Sequence, residues 1–456
     1  MSKNEFLSKA PVSKILFYLG GLGIISMISE GLYGVLDKYF ISVLGIENIE
    51  AVALVYGISF LIMSIAMWLS LGGMVFVSVA NGDSDVDKVN NGKVSILVLS
   101  FLGGILLNIL LYFFSESILS IFTISESSKI SAEVISLANI YLKVISFTAV
   151  PMVVMLSLNF VLRSLGYSII PTISTMITAF TNAGFDYYVI NYTDLGIAGI
   201  GWATVLGFTV SMIFLLVVFY IDWKENLTKE TKPIVEYFSL ESSKEILSLG
   251  LPSFGKQIST LFAITIFNLF ASLISSRLVA GWGVATDIFT IALFITYGLN
   301  MGMMPLLGFS YGSKDFKRSM ETINTTFLIS FLIFTVYSVA VYIYAYDIMD
   351  IYFSEPETIE MGVEILRTLS ISFPIVGIII HGSNALQVFN MKFASLMVGI
   401  SRQFIFFILF IGGIFYCNKY FGTDINIVWG QVFADVIAFA IMARYYFVII
   451  KPKLSV

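Results

Sequence analysis

Twelve long apolar stretches constrain this chain more than any other feature of its sequence. An α-helix needs about 20 apolar residues to cross the hydrocarbon core of a bilayer. Stretches of that length or longer lie at 15–41, 51–80, 94–115, 135–162, 169–190, 196–221, 246–274, 281–311, 321–346, 367–390, 394–417 and 426–450. We therefore predict an all-α integral membrane protein with twelve transmembrane helices.

The composition agrees with lipid as the surrounding solvent. Hydrophobic residues make up 58% of the chain and charged residues 12%, whereas a soluble domain carries roughly 25% charged residues. The net charge of −5 offers no basic surface for nucleic acid. A single cysteine and a single histidine exclude a disulfide framework and a Cys/His zinc site. We expect the lipid bilayer as a partner, and neither a nucleic-acid partner nor a cofactor.

Lysines and arginines suggest the orientation of the chain. Most of them lie in alternate loops, on the side that also holds both termini. Because such residues concentrate in cytoplasmic loops, both termini are predicted to be cytoplasmic. The first apolar stretch is too long for a signal-peptide core, and we interpret it as a membrane helix. The sequence thus predicts a multi-pass protein of the inner (plasma) membrane.

The two halves of the chain resemble each other at one fixed offset along the sequence. The pairs that share this offset are Gly72 with Gly302, Gly82 with Gly312, and Asp85 with Asp315. The polar segment between the sixth and seventh stretches is typical of a linker, and we predict that it is cytoplasmic. We therefore predict two six-helix lobes, 1–221 and 246–456, joined by a linker at 222–245.

An even number of helices in each half gives both halves the same orientation, so the lobes should be related by an axis along the membrane normal. Transporters with such repeats bind their substrate near the middle of the membrane, between the lobes. They expose it to each side in turn by rocking one lobe against the other. Alternating access of this kind is the expectation for this chain.

Four polar residues of the first half are predicted to lie at a similar depth. Asp37 is late in the first helix, Asn182 and Asp186 are late in the fifth, and Thr204 is early in the sixth. Asn182 and Asp186 share a helix face because they are four residues apart. Two carboxylates, an amide and a hydroxyl could bind a proton or a small cation such as Na⁺. The alternative is a polar network that only holds helices together.

Three further residues could contribute to a substrate or proton path. Glu30 lies seven residues before Asp37 and therefore on nearly the same helix face. Glu30 could instead pair with a polar side chain of a neighbouring helix. His381 and Asn384 lie in the tenth helix. A lone histidine is more often a hydrogen-bonded packing residue than a coupling site, so a structural role for His381 is the alternative.

Other ionisable residues in the apolar stretches are interpreted as structural. Arg402 and Asp435, in the eleventh and twelfth helices, could form an ion pair within the membrane. Asp287, near the predicted outer end of the eighth helix, is expected to be exposed to solvent.

Several motifs resemble those of one transporter family. An aspartate in the first helix is followed by a short apolar run and Leu-Gly, within the segment 34–45. Leu162-Arg163-Ser164-Leu165-Gly166 follows the fourth helix, and Pro305-Leu306-Leu307-Gly308 lies in the eighth. In this order, on a six-plus-six repeat, the motifs resemble the multidrug and toxic compound extrusion (MATE) family. The resemblance covers nearly the whole chain.

The resemblance implies a V-shaped pair of lobes and a drug/H⁺ or drug/Na⁺ antiporter. Its cargo would be small organic cations and other amphipathic drugs. Asn182, Asp186 and Thr204 match the cation site of the family's first lobe in type and spacing. Coupling would then rest on these residues with Asp37, and protons are favoured over Na⁺. We expect the protein to act as a monomer.

The sequence departs from the family pattern at three places. Gly20-Gly21-Leu22-Gly23 stands where the first helix often has a proline, so glycines would have to permit any bend there. Lys38, not a small hydroxyl residue, follows Asp37. The seventh helix carries Lys256, Gln257 and Thr260 where one branch of the family has an acid.

Three other functions fit the sequence less well. A flippase for lipid-linked oligosaccharides or peptidoglycan precursors would want arginines and lysines for pyrophosphate, whereas this chain places acids at membrane depth. An enzyme is disfavoured because the single histidine and the single cysteine form no recognisable dyad with a nucleophile. A channel is disfavoured because the polar residues cluster in one lobe and form no rings.

Overall fold

The structure is a computed structural model that describes residues 3–123, 131–225, 233–423 and 425–455. Its long helices, numbered α1 to α12, are Val12–Val43, Ile46–Gly82, Val86–Phe113, Ala132–Ser164, Ile169–Tyr192, Gly196–Lys224, Leu240–Ile274, Ser276–Gly312, Phe316–Ile343, the pair Pro356–Ser370 and Phe373–Val388 (together α10), Lys392–Phe421 and Trp429–Leu454. Within these described ranges the chain forms helices and no strands, which confirms the all-α prediction.

The lengths of the helices suit a membrane protein. Ten of the described helices are long and apolar enough to cross a bilayer. The two segments of α10, which meet at a bend of 49°, form an eleventh candidate span when they are counted together. The remaining helix, α5, has 24 residues and carries buried threonine, serine, asparagine and aspartate side chains. At 1.5 Å per residue it is about 36 Å long, which still exceeds the hydrocarbon thickness. Each of the twelve predicted spans therefore corresponds to a helix.

The sequence repeat recurs in the helix boundaries. Helices α2 and α8 both have 37 residues, and α3 and α9 both have 28. Asp85 caps the start of α3 by accepting from Lys88 N at 2.9 Å, and Asp315 caps α9 by accepting from Arg318 N at the same distance. A side-chain acceptor at this position satisfies an amide that the helix leaves unpaired. The repeated aspartates are thus helix caps.

The helices group into two compact units. Unit 1 comprises residues 1–4 and 25–250, and unit 2 comprises residues 5–24 and 251–456. The start of α1 therefore belongs to unit 2, and the start of α7 belongs to unit 1. The lobe boundaries inferred from the sequence stay a prediction, and residues 226–232 of the linker lie outside the described residues.

Glycines allow the start of α1 to pack closely within unit 2. A Cβ atom on Gly23 would overlap the carbonyl oxygen of Gly298 on α8. One on Gly302 would lie 2.6 Å from the amide nitrogen of Gly20. Small residues let helix backbones approach in this way. The turn Leu16–Gly20, which ends at this contact, is π-helical, with hydrogen bonds between residues i and i+5.

The start of α7 packs in the same manner within unit 1. A Cβ atom on Gly72 of α2 would overlap Ile246 O and lie 3.0 Å from Gly250 N. The indole nitrogen of Trp68 donates to Leu247 O at 2.7 Å. Gly72 is the repeat partner of Gly302, and Gly250 stands at the same offset from Gly20. The same glycine contact therefore occurs once in each unit.

Candidate functional site

The polar group predicted from the first half lies inside unit 1, where α1, α5 and α6 meet. Asn182 and Asp186 of α5 have no exposed surface, and Thr204 of α6 is 4% exposed. Asn182 Nδ2 donates to Thr204 Oγ1 at 3.3 Å. Gly207 permits this approach, because a Cβ atom there would lie 2.9 Å from Thr178 O. The close packing of α5 and α6 thus brings the amide and the hydroxyl together.

Asp37 completes the group from α1. Its carboxylate neighbours Asn182 and Thr204, and it is close enough to Asp186 for the two negative charges to repel each other. The next residue, Lys38, is exposed. The structure therefore brings all four predicted residues into one cluster, which we call the N-site: Asp37, Asn182, Asp186 and Thr204.

The N-site holds more acceptors than donors. Four of its buried oxygens, Asp37 Oδ1, Asn182 Oδ1 and both carboxylate oxygens of Asp186, have no hydrogen-bond partner among the described residues. Buried acceptors without donors are costly, since the protein offers nothing in exchange for water. A bound proton or small cation would satisfy them. No group of three or more His, Cys, Asp or Glu residues that could hold a metal occurs in the described part of the chain.

Two tyrosines that the sequence analysis does not predict as site residues lie beside the N-site. Tyr33 of α1 neighbours Thr204 and both carboxylates, and Tyr141 of α4 lies near Asp37, Asp186 and Tyr33. Tyr33 precedes Asp37 by four residues, so helical spacing could have indicated it. No sequence pattern indicated Tyr141. Phenolic hydroxyls can donate a hydrogen bond as well as accept one.

Glu30 lies one turn from Tyr33 on α1 and borders a narrow cavity within unit 1. Its lining includes Met152, Met155 and Phe208 together with Thr178. The cavity measures about 30 Å³. That volume can hold about two water molecules, whereas pockets for drug-sized ligands measure roughly 300–1,000 Å³.

The polar residues predicted in α10 are hydrogen-bonded within unit 2. His381 Nδ1 lies 2.9 Å from Asn300 Oδ1 on α8, and the ring is fully buried. Asn384 Oδ1 accepts from Lys256 Nζ on α7 at 2.9 Å. His381 and Asn384 thus have different partners, and the structure does not join them in one cluster.

One structural prediction for unit 2 is confirmed. Arg402 Nε donates to Asp435 Oδ1 at 2.7 Å, and both side chains are buried. This is the ion pair predicted between α11 and α12. Asp287 is exposed at the protein surface, and its exposure to solvent stays a prediction. Neither result points to a second cation site in this unit.

Comparison with known proteins gives consistent matches along the chain. A family model described as MatE matches residues 23–188 and 252–412. The multidrug export protein MepA of Staphylococcus aureus is 23% identical over 461 residues, which cover 99% of this chain and 97% of the relative. MepA of Staphylococcus saprophyticus is also 23% identical, with the same coverage.

Solved structures match the fold over its whole length. A MATE transporter crystallised in complex with MaL6 has a TM-score of 0.87 and 21% identity, and the match covers 100% of this chain and 99% of that one. A transporter of the MOP superfamily from Pyrococcus furiosus, described as having a binding pocket of reversed polarity, has a TM-score of 0.88 and 21% identity, with 100% and 98% covered. At these identities the matches establish the fold alone.

Proposed function

Because the chain belongs to the MatE family of membrane transporters, we propose that it exports amphipathic, mostly cationic compounds in exchange for H⁺ or Na⁺. The curated relatives carry the name of multidrug export proteins. Their names favour export over the flippase alternative. The family consists of transporters, so no catalytic role is assigned to any residue.

The observation that carries the proposal is the surplus of buried acceptor oxygens in the N-site. Two neighbouring carboxylates at membrane depth are expensive unless something neutralises them. One proton on either carboxyl removes a negative charge and adds a donor. Na⁺ would instead need several oxygens in a fixed arrangement, which the four side chains could supply. We favour the proton because a single carboxyl suffices for it.

Ion binding in the N-site would act through α1. Neutralising Asp37 or Asp186 removes their mutual repulsion and changes the packing of α1 against α5 and α6. Residues 12–24 of the same α1 helix belong to unit 2. A change in its second part can therefore be passed on to unit 2 along one continuous helix. This coupling supports alternating access driven by the ion.

The small cavity beside Glu30 fits a proton path better than a cargo site. It has room for water but not for a drug-sized molecule. Glu30, one turn from Tyr33, would then pass protons towards Asp37. We further propose that the protein works as a monomer in the inner (plasma) membrane with both termini in the cytoplasm.

Transport by the purified protein in proteoliposomes tests the exchange. A fluorescent organic cation is offered under an imposed pH gradient, an imposed Na⁺ gradient, or neither. We expect the pH gradient to drive accumulation of the dye on the side from which protons flow. Driving by Na⁺ alone would identify the other ion. Failure of both gradients to move any of a broad panel of dyes, together with flipping of a lipid-linked precursor, would overturn the proposal.

A further inference from the structure

Lys256 places an ammonium group near the middle of α7, within unit 2. It lies 16 residues after Leu240 in a helix of 35 residues, about 24 Å along the helix axis. Its aliphatic stem crosses Gly399 of α11, where a Cβ atom would overlap Lys256 Cγ. The path of the side chain is therefore determined by the helix that faces it. Lys256 keeps partial exposure to its surroundings.

Neutral groups of α10 hold the ammonium in place. Lys256 Nζ donates to Asn384 Oδ1 at 2.9 Å and to Ser383 Oγ at 3.3 Å. Ser383 uses its own proton to donate to Ser395 O at 2.9 Å, so its oxygen is left to accept from Lys256. An ammonium group has three N–H donors. Two of them are used here, and the third is available to a ligand.

Lys256 forms no ion pair with any described aspartate or glutamate. Buried cations are usually paired with an acidic side chain. Between α11 and α12, for example, Arg402 is paired with Asp435 at 2.7 Å. A cation at membrane depth without an opposite charge is costly, and such residues mark ligand pathways. The neighbouring amide and hydroxyl orient the ammonium but do not neutralise it. The missing element is one negative charge.

We propose that Lys256, Ser383 and Asn384 form a binding site for the carboxylate of an amphipathic cargo molecule. One ammonium matches one carboxylate in charge, and the third N–H supplies a charge-assisted hydrogen bond. The transporter would then accept zwitterionic compounds as well as simple cations. This inference rests on the proposed export function and specifies a class of cargo for it.

Two dyes that differ only at the carboxyl group test the site. Tetramethylrhodamine carries a free carboxylate and is zwitterionic, whereas its methyl ester is a cation. Binding to the full-length protein in detergent is measured by fluorescence anisotropy. We expect Lys256→Gln to weaken binding of tetramethylrhodamine by about tenfold or more and to leave binding of the ester unchanged or stronger. Lys256→Arg should keep the preference for the carboxylate.

Lys419→Gln serves as the matched control, because Lys419 is an exposed lysine of the same unit. It should leave the binding of both dyes unchanged. An equal loss for both dyes in Lys256→Gln would show a purely structural role and overturn the inference, as would unchanged binding of tetramethylrhodamine. Transport of the ester by the wild-type protein reports on the export function separately. If that transport occurs while Lys256→Gln fails to discriminate, the export function stands and the carboxylate site does not.

Discussion

Gly302 of α8 lies directly against Gly20 of α1, so that a Cβ atom on Gly302 would come within 2.6 Å of the Gly20 nitrogen. The equivalent contact in the other half of the repeat joins Gly72 of α2 and Gly250 of α7, with a corresponding distance of 3.0 Å. The first helix of each half thus begins in the unit formed mainly by the other half. The first turns of α1 and α7 are each held in that unit by close backbone contacts, which a residue larger than glycine would block.

Enlarging these glycines should destabilise the protein. Gly23→Ala and Gly72→Ala would each place a methyl group onto a backbone carbonyl of the facing helix. Overpacking of this kind costs about 1–3 kcal/mol, and thermal unfolding in detergent should move to lower temperature. Gly21→Ala is the control, because nothing lies within 4 Å of a Cβ atom there. Equal unfolding temperatures for all three variants would contradict the packing described here.

Neutralising the N-site should uncouple transport from the gradient. Asp37→Asn and Asp186→Asn remove the group that takes up a proton, and we expect dye transport to fall to the level of protein-free liposomes. An amide is less costly to bury than a charge, so both variants should still fold and insert. Asp287→Asn, a change at an exposed carboxylate, should transport normally. Normal gradient-driven transport by Asp37→Asn at matched expression would refute the assignment and direct attention to Glu30.

His381 should matter more for stability than for transport. Its ring is paired with Asn300 at 2.9 Å in the interior of unit 2. His381→Ala leaves Asn300 without this partner, which costs about 1–3 kcal/mol. Measured by unfolding temperature and by dye transport, the variant should be less stable yet more active than Asp37→Asn. Complete loss of transport in a stably folded His381→Ala protein would place the histidine in the coupling path.

The Arg402–Asp435 pair should behave as a structural unit. Removing one partner leaves a buried charge without compensation, at a cost of about 3–5 kcal/mol. Arg402→Met and Asp435→Leu should therefore each lower the unfolding temperature strongly. The double variant should recover much of the loss, because apolar replacements of a buried pair are often tolerated. Simple addition of the two losses would show that the side chains do not interact.

The orientation of the chain can be measured with an impermeant maleimide on intact cells. In a Cys417→Ser background, Glu357→Cys should be labelled directly and Lys244→Cys only after permeabilisation. Both positions are exposed, so a difference in labelling reports the side of the membrane. The opposite pattern would reverse the topology inferred from the lysines and arginines.

Much of the candidate site could be predicted because its signals are local. The positions of Asp37, Asn182 and Asp186 along their helices already suggested a common depth, and the structure places them with Thr204 in one cluster. Tyr141 could not be anticipated in this way. Tyr141 reaches the site from α4. No residue spacing in the sequence predicts which face of α4 packs towards α1. The same holds for Lys256, whose partners Ser383 and Asn384 lie far along the chain from it.

The sequence by itself determined the helical class, the number of long helices and the repeat between the two halves. Hydropathy and helix-capping residues act over a few turns and can be read along the chain. Only the tertiary structure decided that residues 5–24 pack in unit 2 and 240–250 in unit 1. In a membrane, hydrophobicity does not select which helix faces meet, because lipid is as apolar as the side chains. Packing between small residues such as Gly20 and Gly302 makes that selection, and it depends on both helices at once.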